Sequence, residues 1–136
     1  MTANIDWLAL RAAAERAAQL AYAPYSKFHV GAAILAADGR VFTGCNVENA
    51  SFGLTICAER NAVFSAVAAG ARSFLALALI TSSDTPVTPC GACRQVLIEF
   101  PPSFALRCYG RDGSEHSTST QALLPDAFVS DDFRRP

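Results

Sequence analysis

Thr55-Ile56-Cys57-Ala58-Glu59-Arg60 and Pro89-Cys90-Gly91-Ala92-Cys93-Arg94-Gln95 are the two stretches around which the chain is arranged. Each opens a predicted helix. Between them lies Leu75 to Thr81 (LALALIT), a near-continuous apolar run of strand length that reads as a strand covered on both faces. Helices alternating with strands predict a three-layer α/β sandwich.

The chemistry of the two stretches follows from their residue types. Zinc takes thiolate, imidazole or carboxylate ligands in a tetrahedron, and a catalytic zinc keeps one position for water, leaving three for the protein. Cys57, Cys90 and Cys93 supply three. Cys90 and Cys93 are three residues apart, so on a first helical turn they share a face. Helix N-termini present free N–H groups and a positive dipole end, which stabilise thiolates. Glu59 follows Cys57 by two residues. A carboxylate beside a zinc site that is not itself a ligand suits proton shuttling. Three thiolates against one Zn²⁺ leave a net charge of −1. Arg60 and Arg94 are placed to hydrogen-bond sulfur and offset it, or else to serve as surface charges.

Working outward, residues 4–22 read as an amphipathic packing helix, with Asn4 as its cap and Pro24 beyond its end. Residues 28–36 alternate as a strand, Asp38-Gly39 marks a turn, and Arg40 to Thr43 return as a second strand. His29 lies on the opposite strand face from Phe28, and three cysteines already fill the ligand set, so His29 reads as structural. His116, in a polar segment, reads the same way. Residues 57–70 form a helix stopped by Gly70, residues 91–99 another, and Ala105 to Tyr109 a further strand. Gly110 to Ser119 reads as polar and turn-rich, Leu123 to Phe128 as an apolar tail, and Asp131 to Pro136 as a frayed end. In Gly44-Cys45-Asn46-Val47-Glu48-Asn49-Ala50-Ser51, Asn46 and Glu48 point the same way if the segment is extended. An amide beside a carboxylate suits a sugar hydroxyl, and a capped polar loop is the alternative.

Composition bounds the rest. At 136 residues the chain is read as a single domain, 1–136. Apolar residues make up 51% and charged residues 17%, an excess that predicts apolar surface buried between subunits. A net charge of −1 with no basic block argues against a nucleic-acid polymer as partner. No signal peptide, transit peptide or membrane span is visible, so a membrane partner is not expected. Five cysteines, an odd number, do not make a disulfide framework, and a reducing cytoplasmic setting is the simpler expectation.

The chain resembles the small, homotetrameric cytidine deaminases of the zinc-dependent cytidine/deoxycytidylate deaminase superfamily. The resemblance rests on Phe28-His29-Val30-Gly31-Ala32-Ala33, the stretch Gly44 to Ser51, the two cysteine stretches, and Leu123-Leu124-Pro125 with Phe128. Together they run over most of the chain in the right order. Cys57 in the first ligand position makes this the Cys₃ form of the deaminase site. The resemblance implies an α/β/α sandwich with a mixed central sheet of about five strands. It implies one Zn²⁺ per chain on Cys57, Cys90 and Cys93, with Glu59 as proton shuttle. It implies that Asn46 and Glu48 hold the ribose 3′-hydroxyl, that Phe28 packs on the nucleoside, and that the Ala58 backbone holds the base. Arg60 would compensate the thiolates, and Phe128 would reach a neighbouring subunit's active site. The implied reaction is hydrolytic deamination of cytidine and 2′-deoxycytidine in pyrimidine salvage. Two rivals stand beside it. One is deamination of a related aminopyrimidine nucleoside such as blasticidin S. The other is a non-catalytic zinc or thiol protein, with Cys45 or Cys108 as a fourth ligand.

Overall fold

The computed structural model describes residues 4–130. In chain order the elements are α1 (Trp7–Gln19), β1 (Val30–Ala36), β2 (Val41–Cys45), a 3₁₀ turn (Phe52–Leu54), α2 (Ala58–Ala68), β3 (Phe74–Thr81), α3 (Gly91–Ile98), β4 (Ala105–Tyr109), β5 (Glu115–Ser119) and α4 (Thr120–Leu123). The sheet runs β2-β1-β3-β4-β5. Only β3 and β4 are parallel, and the connection between them carries α3. The β1–β2, β1–β3 and β4–β5 pairs are antiparallel, so the sheet is mixed.

Strand β3 explains the layering. Its alternation sends Leu77 and Leu79 to one face, where they pack with Ile34, Leu106 and Cys108 beneath Ala62, Val63 and Ala66 of α2 and Leu97 of α3. Ala76, Ala78 and Ile80 go to the other face and meet Leu10, Ala13 and Ala14 of α1. The result is the expected α/β/α sandwich. Each fully buried leucine contributes about 1.5–3 kcal/mol of hydrophobic stabilisation. The alanine face lets α1 lie close to the sheet. A Cβ on Gly31 would come within 1.9 Å of the Ala14 carbonyl oxygen.

Three boundaries depart from expectation. The cap of α1 is Asp6, whose Oδ1 accepts from Ala9 N–H at 3.0 Å, and not Asn4. Asp6 stands directly before the first helical residue, where capping geometry requires it. The helix stops at Gln19 because Tyr22 N–H is taken by the Asn46 carbonyl at 3.0 Å, pairing Tyr22 with Val47. The segment Gly110 to Ser119 contains a full edge strand, β5, after a turn in which Gly113 has φ +86°. Its polar sequence reflects an edge position with three of its five residues exposed. The turn at Asp38-Gly39 (φ +95° at Gly39) and the stop at Gly70 (φ +96°) are as expected. The frayed end expected for Asp131 to Pro136 lies outside the described residues. No helix among the described residues is long and apolar enough to cross a membrane.

Gly44, in β2, marks where α2 is seated. A Cβ there would fall 2.4 Å from Ala62 N and 2.5 Å from the Ala58 carbonyl oxygen, both backbone atoms that cannot yield locally. Gly44→Ala is expected to cost at least about 1–3 kcal/mol of stability, read as a lower denaturant midpoint. Gly53→Ala, where an added Cβ meets nothing within 4 Å, is expected to leave the midpoint unchanged.

Candidate active site

Helices α2 and α3 both start beside the ends of the central strands β1 and β3, and a cysteine stands directly before the first residue of each. Cys57 occupies the N-cap position of α2 and Cys90 that of α3, while Cys93 sits in the first turn of α3. The Sγ atoms of Cys57 and Cys90 are 3.9 Å apart, and those of Cys90 and Cys93 are 3.5 Å apart. All three lie within 4.8 Å of one another. Tetrahedral zinc with Zn–S bonds of about 2.3 Å needs sulfur atoms about 3.8 Å apart. The three thiols therefore fit this ion. Cys45 and Cys108 join no such cluster among the described residues. Cys108 is sealed in the core, and burial pushes its thiol up to about 12. That leaves the structural-zinc alternative without its fourth ligand and Cys108 chemically inert.

Arg60 lies on the Cys57 face of α2, with Nη2 3.5 Å from Cys57 Sγ. The contact works in both directions. Hydrogen bonds from the Cys93 thiol and from Arg60 pull the Cys57 thiol down to about 5, and the Cys57 sulfur holds the guanidinium charged. Cys93 shifts upward, because its proton is shared with Cys57 and it is buried. Arg60 Nε is buried with no hydrogen-bond partner among the described residues.

Arg94 corrects an expectation. Its Nε donates to the Pro89 carbonyl at 2.7 Å, its Nη1 to the Leu123 carbonyl at 3.0 Å, and its Nη2 to Thr88 Oγ1 at 2.9 Å. Two of these bonds go to the loop that delivers Cys90, the third goes to α4, and none goes to sulfur. Adjacent helical residues do not face the same way, which separates Arg94 from Cys93.

Glu59 is 5% exposed and lines a pocket of about 250 Å³ together with Cys57, Cys90 and Ala58. Burial, reinforced by the neighbouring Cys57 charge, pushes its carboxyl up to about 7. Phe28, Asn46 and Glu48 line the same pocket. Asn46 Oδ1 accepts from Val30 N–H at 2.9 Å, and its Nδ2 donates to the Phe28 carbonyl at 2.7 Å. The amide thus fixes the start of β1 and keeps one further N–H. Glu48 accepts from the N–H groups of Tyr25 and Ser26, at 3.0 and 3.1 Å, and from the Ser26 hydroxyl. These bonds, the hydroxyl's foremost, hold its carboxyl below the usual range.

Phe128 does not line this pocket. It is 56% exposed, and its carbonyl accepts from Gln95 Nε2 at 2.9 Å. His29 faces a separate recess with Arg11, Glu15 and Arg111. Sequence reading missed Thr55, Val87 and Thr88 in the pocket wall. Their adjacency to the two cysteine stretches was the available signal.

Three thiols spaced for three corners of a zinc tetrahedron, beside a buried carboxyl that lines a pocket on this sandwich, define a zinc-binding hydrolase site for a small polar substrate. The family model described as "Cytidine and deoxycytidylate deaminase zinc-binding region" matches residues 6–104, and the chain belongs to that family. A cytidine deaminase from Sporosarcina psychrophila is 48% identical over 91% of this chain and 92% of its own length. One from Mycobacterium tuberculosis is also 48% identical, over 97% and 96%. The crystal structure of cytidine deaminase from Burkholderia pseudomallei superposes with a TM-score of 0.88 at 52% identity, covering 91% of this chain and all of that one.

Arg60→Ala removes the cation beside Cys57. The variant is expected to lose about 10–100-fold in zinc affinity, measured by competition with a chromogenic chelator.

Proposed function

We propose that this chain catalyses hydrolysis of the exocyclic amine of cytidine and 2′-deoxycytidine, giving uridine or 2′-deoxyuridine and ammonia, in pyrimidine salvage. The observation that carries the reading is one pocket holding both ends of such a chemistry. The buried carboxyl of Glu59 lines it beside Cys57 and Cys90, with Cys93 clustered behind them, and the Asn46 amide and the ionised Glu48 carboxylate line it too.

Cys57, Cys90 and Cys93 hold the metal, one per chain. Zinc held by these residues would supply hydroxide at neutral pH, because it would lower the pKa of water toward about 7. Glu59 handles the protons. With its carboxyl near neutrality it takes a proton from the attacking water and delivers it to N3 of the pyrimidine. It then takes the proton of the new C4 hydroxyl and gives it to the departing amine, so that the C4–N bond breaks as the C4 carbonyl forms and ammonia leaves. Protonation at N3 makes C4 electrophilic. The backbone of Ala58, buried in the first turn of α2, holds the base. Phe28 packs against the nucleoside, and Asn46 and Glu48 take the ribose 3′-hydroxyl. Glu48 also disfavours a phosphorylated sugar by charge repulsion. Arg60 offsets the thiolate charge, and Arg94 braces the Thr88-Pro89 approach to Cys90.

The chain acts as one domain in a homotetramer, and Phe128 completes a neighbouring subunit's pocket. Exposed Phe52, Leu54, Phe64 and Phe128 support an assembly that covers them. Sedimentation equilibrium is expected to give four times the chain mass, and a monomer would refute the assembly. Five free cysteines suit a reducing cytoplasm.

Glu59→Ala is expected to lower turnover of cytidine at least about 10²–10⁴-fold while zinc remains at one per chain. Ultraviolet assay and metal analysis on one sample check both. Loss of the metal instead would make Glu59 a ligand.

A further inference from the structure

The sugar end of the pocket rests on a loop of which the mechanism above uses only Phe28. Tyr25-Ser26-Lys27-Phe28 joins α1 to β1 and is tied to Glu48 at three points. Glu48 Oε1 accepts from the N–H groups of Tyr25 and Ser26, and Oε2 from the Ser26 hydroxyl. The Ser26 oxygen in turn accepts from Phe28 N–H at 3.0 Å. Ser26 therefore links the aromatic on one side of the pocket to the carboxylate on the other. Lys27, between them, has φ +60°, a conformation that a residue with a side chain keeps only where its neighbours hold it. Its N–H closes on the Ala23 carbonyl at 3.1 Å.

We propose that Ser26 is a positioning residue for nucleoside recognition, its hydroxyl fixing the Glu48 carboxylate so that one acceptor site faces the sugar. The proposal rests on the reading of Glu48 as acceptor for the 3′-hydroxyl. An ionised carboxylate takes about four hydrogen bonds. Two backbone N–H groups and the Ser26 hydroxyl occupy three, and the fourth is left for one donor. The Ser26 hydroxyl has a single proton, and with Phe28 N–H bonded to its oxygen that proton is directed at Oε2. The geometry selects sugars that present a donating hydroxyl at this point. It rejects groups that bring only acceptors. Without the hydroxyl the carboxylate keeps its two Oε1 bonds but is free to turn Oε2 out of line.

The test compares 2′-deoxycytidine with 2′,3′-dideoxycytidine, which differ only in the 3′-hydroxyl, on zinc-loaded enzyme. Ser26→Ala is expected to lower kcat/KM for 2′-deoxycytidine about tenfold, chiefly through KM, and to leave 2′,3′-dideoxycytidine within about twofold. A merely structural serine would lower both substrates together, or neither, and either result overturns the proposal. Glu48→Gln, run in parallel, separates the two readings. If it leaves the ratio between the substrates intact, the ribose role of Glu48 fails and the Ser26 proposal falls with it. If it collapses the ratio and Ser26→Ala does not, the Ser26 proposal alone is overturned.

Discussion

Three sulfur atoms within 4.8 Å of one another form a cluster that cannot hold three negative charges unaided. Like charges about 4 Å apart repel by several kcal/mol at a partly shielded site. Without a cation the thiols share protons, Cys57 being drawn down while Cys93 is driven up. Zn²⁺ bound there would hold all three as thiolates, and Arg60 would offset part of the remaining charge. The surrounding architecture serves that convergence. The end of β3 meets the starts of α2 and α3 at the pocket, the missing Cβ of Gly44 lets α2 sit against β2, and Arg94 ties down the loop ahead of Cys90.

The same pocket holds two carboxyl groups that their surroundings drive in opposite directions. Glu59 is desolvated and ends near neutrality, suited to moving a proton both ways. Glu48 is surrounded by donors and stays ionised, suited to accepting one hydrogen bond and releasing none of its own. A single residue type thus performs two tasks within one cavity: burial sets the one, and hydrogen-bond donors, the Ser26 hydroxyl foremost, set the other.

The layers were legible in the sequence because β3 is apolar up to its last residue, Thr81, and glycine or proline marks most element ends. β5 was not, since Glu115-His116-Ser117-Thr118-Ser119 has the polarity of a loop and becomes a strand only by pairing with β4. The three thiols were legible because each falls at a helix start, where spacing fixes direction. Asn46 and Glu48 were found by their two-residue spacing, but the spacing did not reveal that the Asn46 amide is largely committed to β1. Ser26 escaped notice because its partner lies 22 residues away, and nothing local in Tyr25-Ser26-Lys27 announces a carboxylate. Arg94 was misdirected by proximity in sequence, which on a helix means a different face.

Asp6 caps α1 and Ser119 caps α4, each with a side-chain acceptor. Cys57 and Cys90 hold the same positions on α2 and α3 and cap nothing with their side chains. A good cap contributes about 1 kcal/mol to its helix, so placing sulfur there forgoes that support twice. An ion held by Cys57 and Cys90 would instead join the two helix starts to each other, and because it would bind the folded chain it would favour folding by mass action.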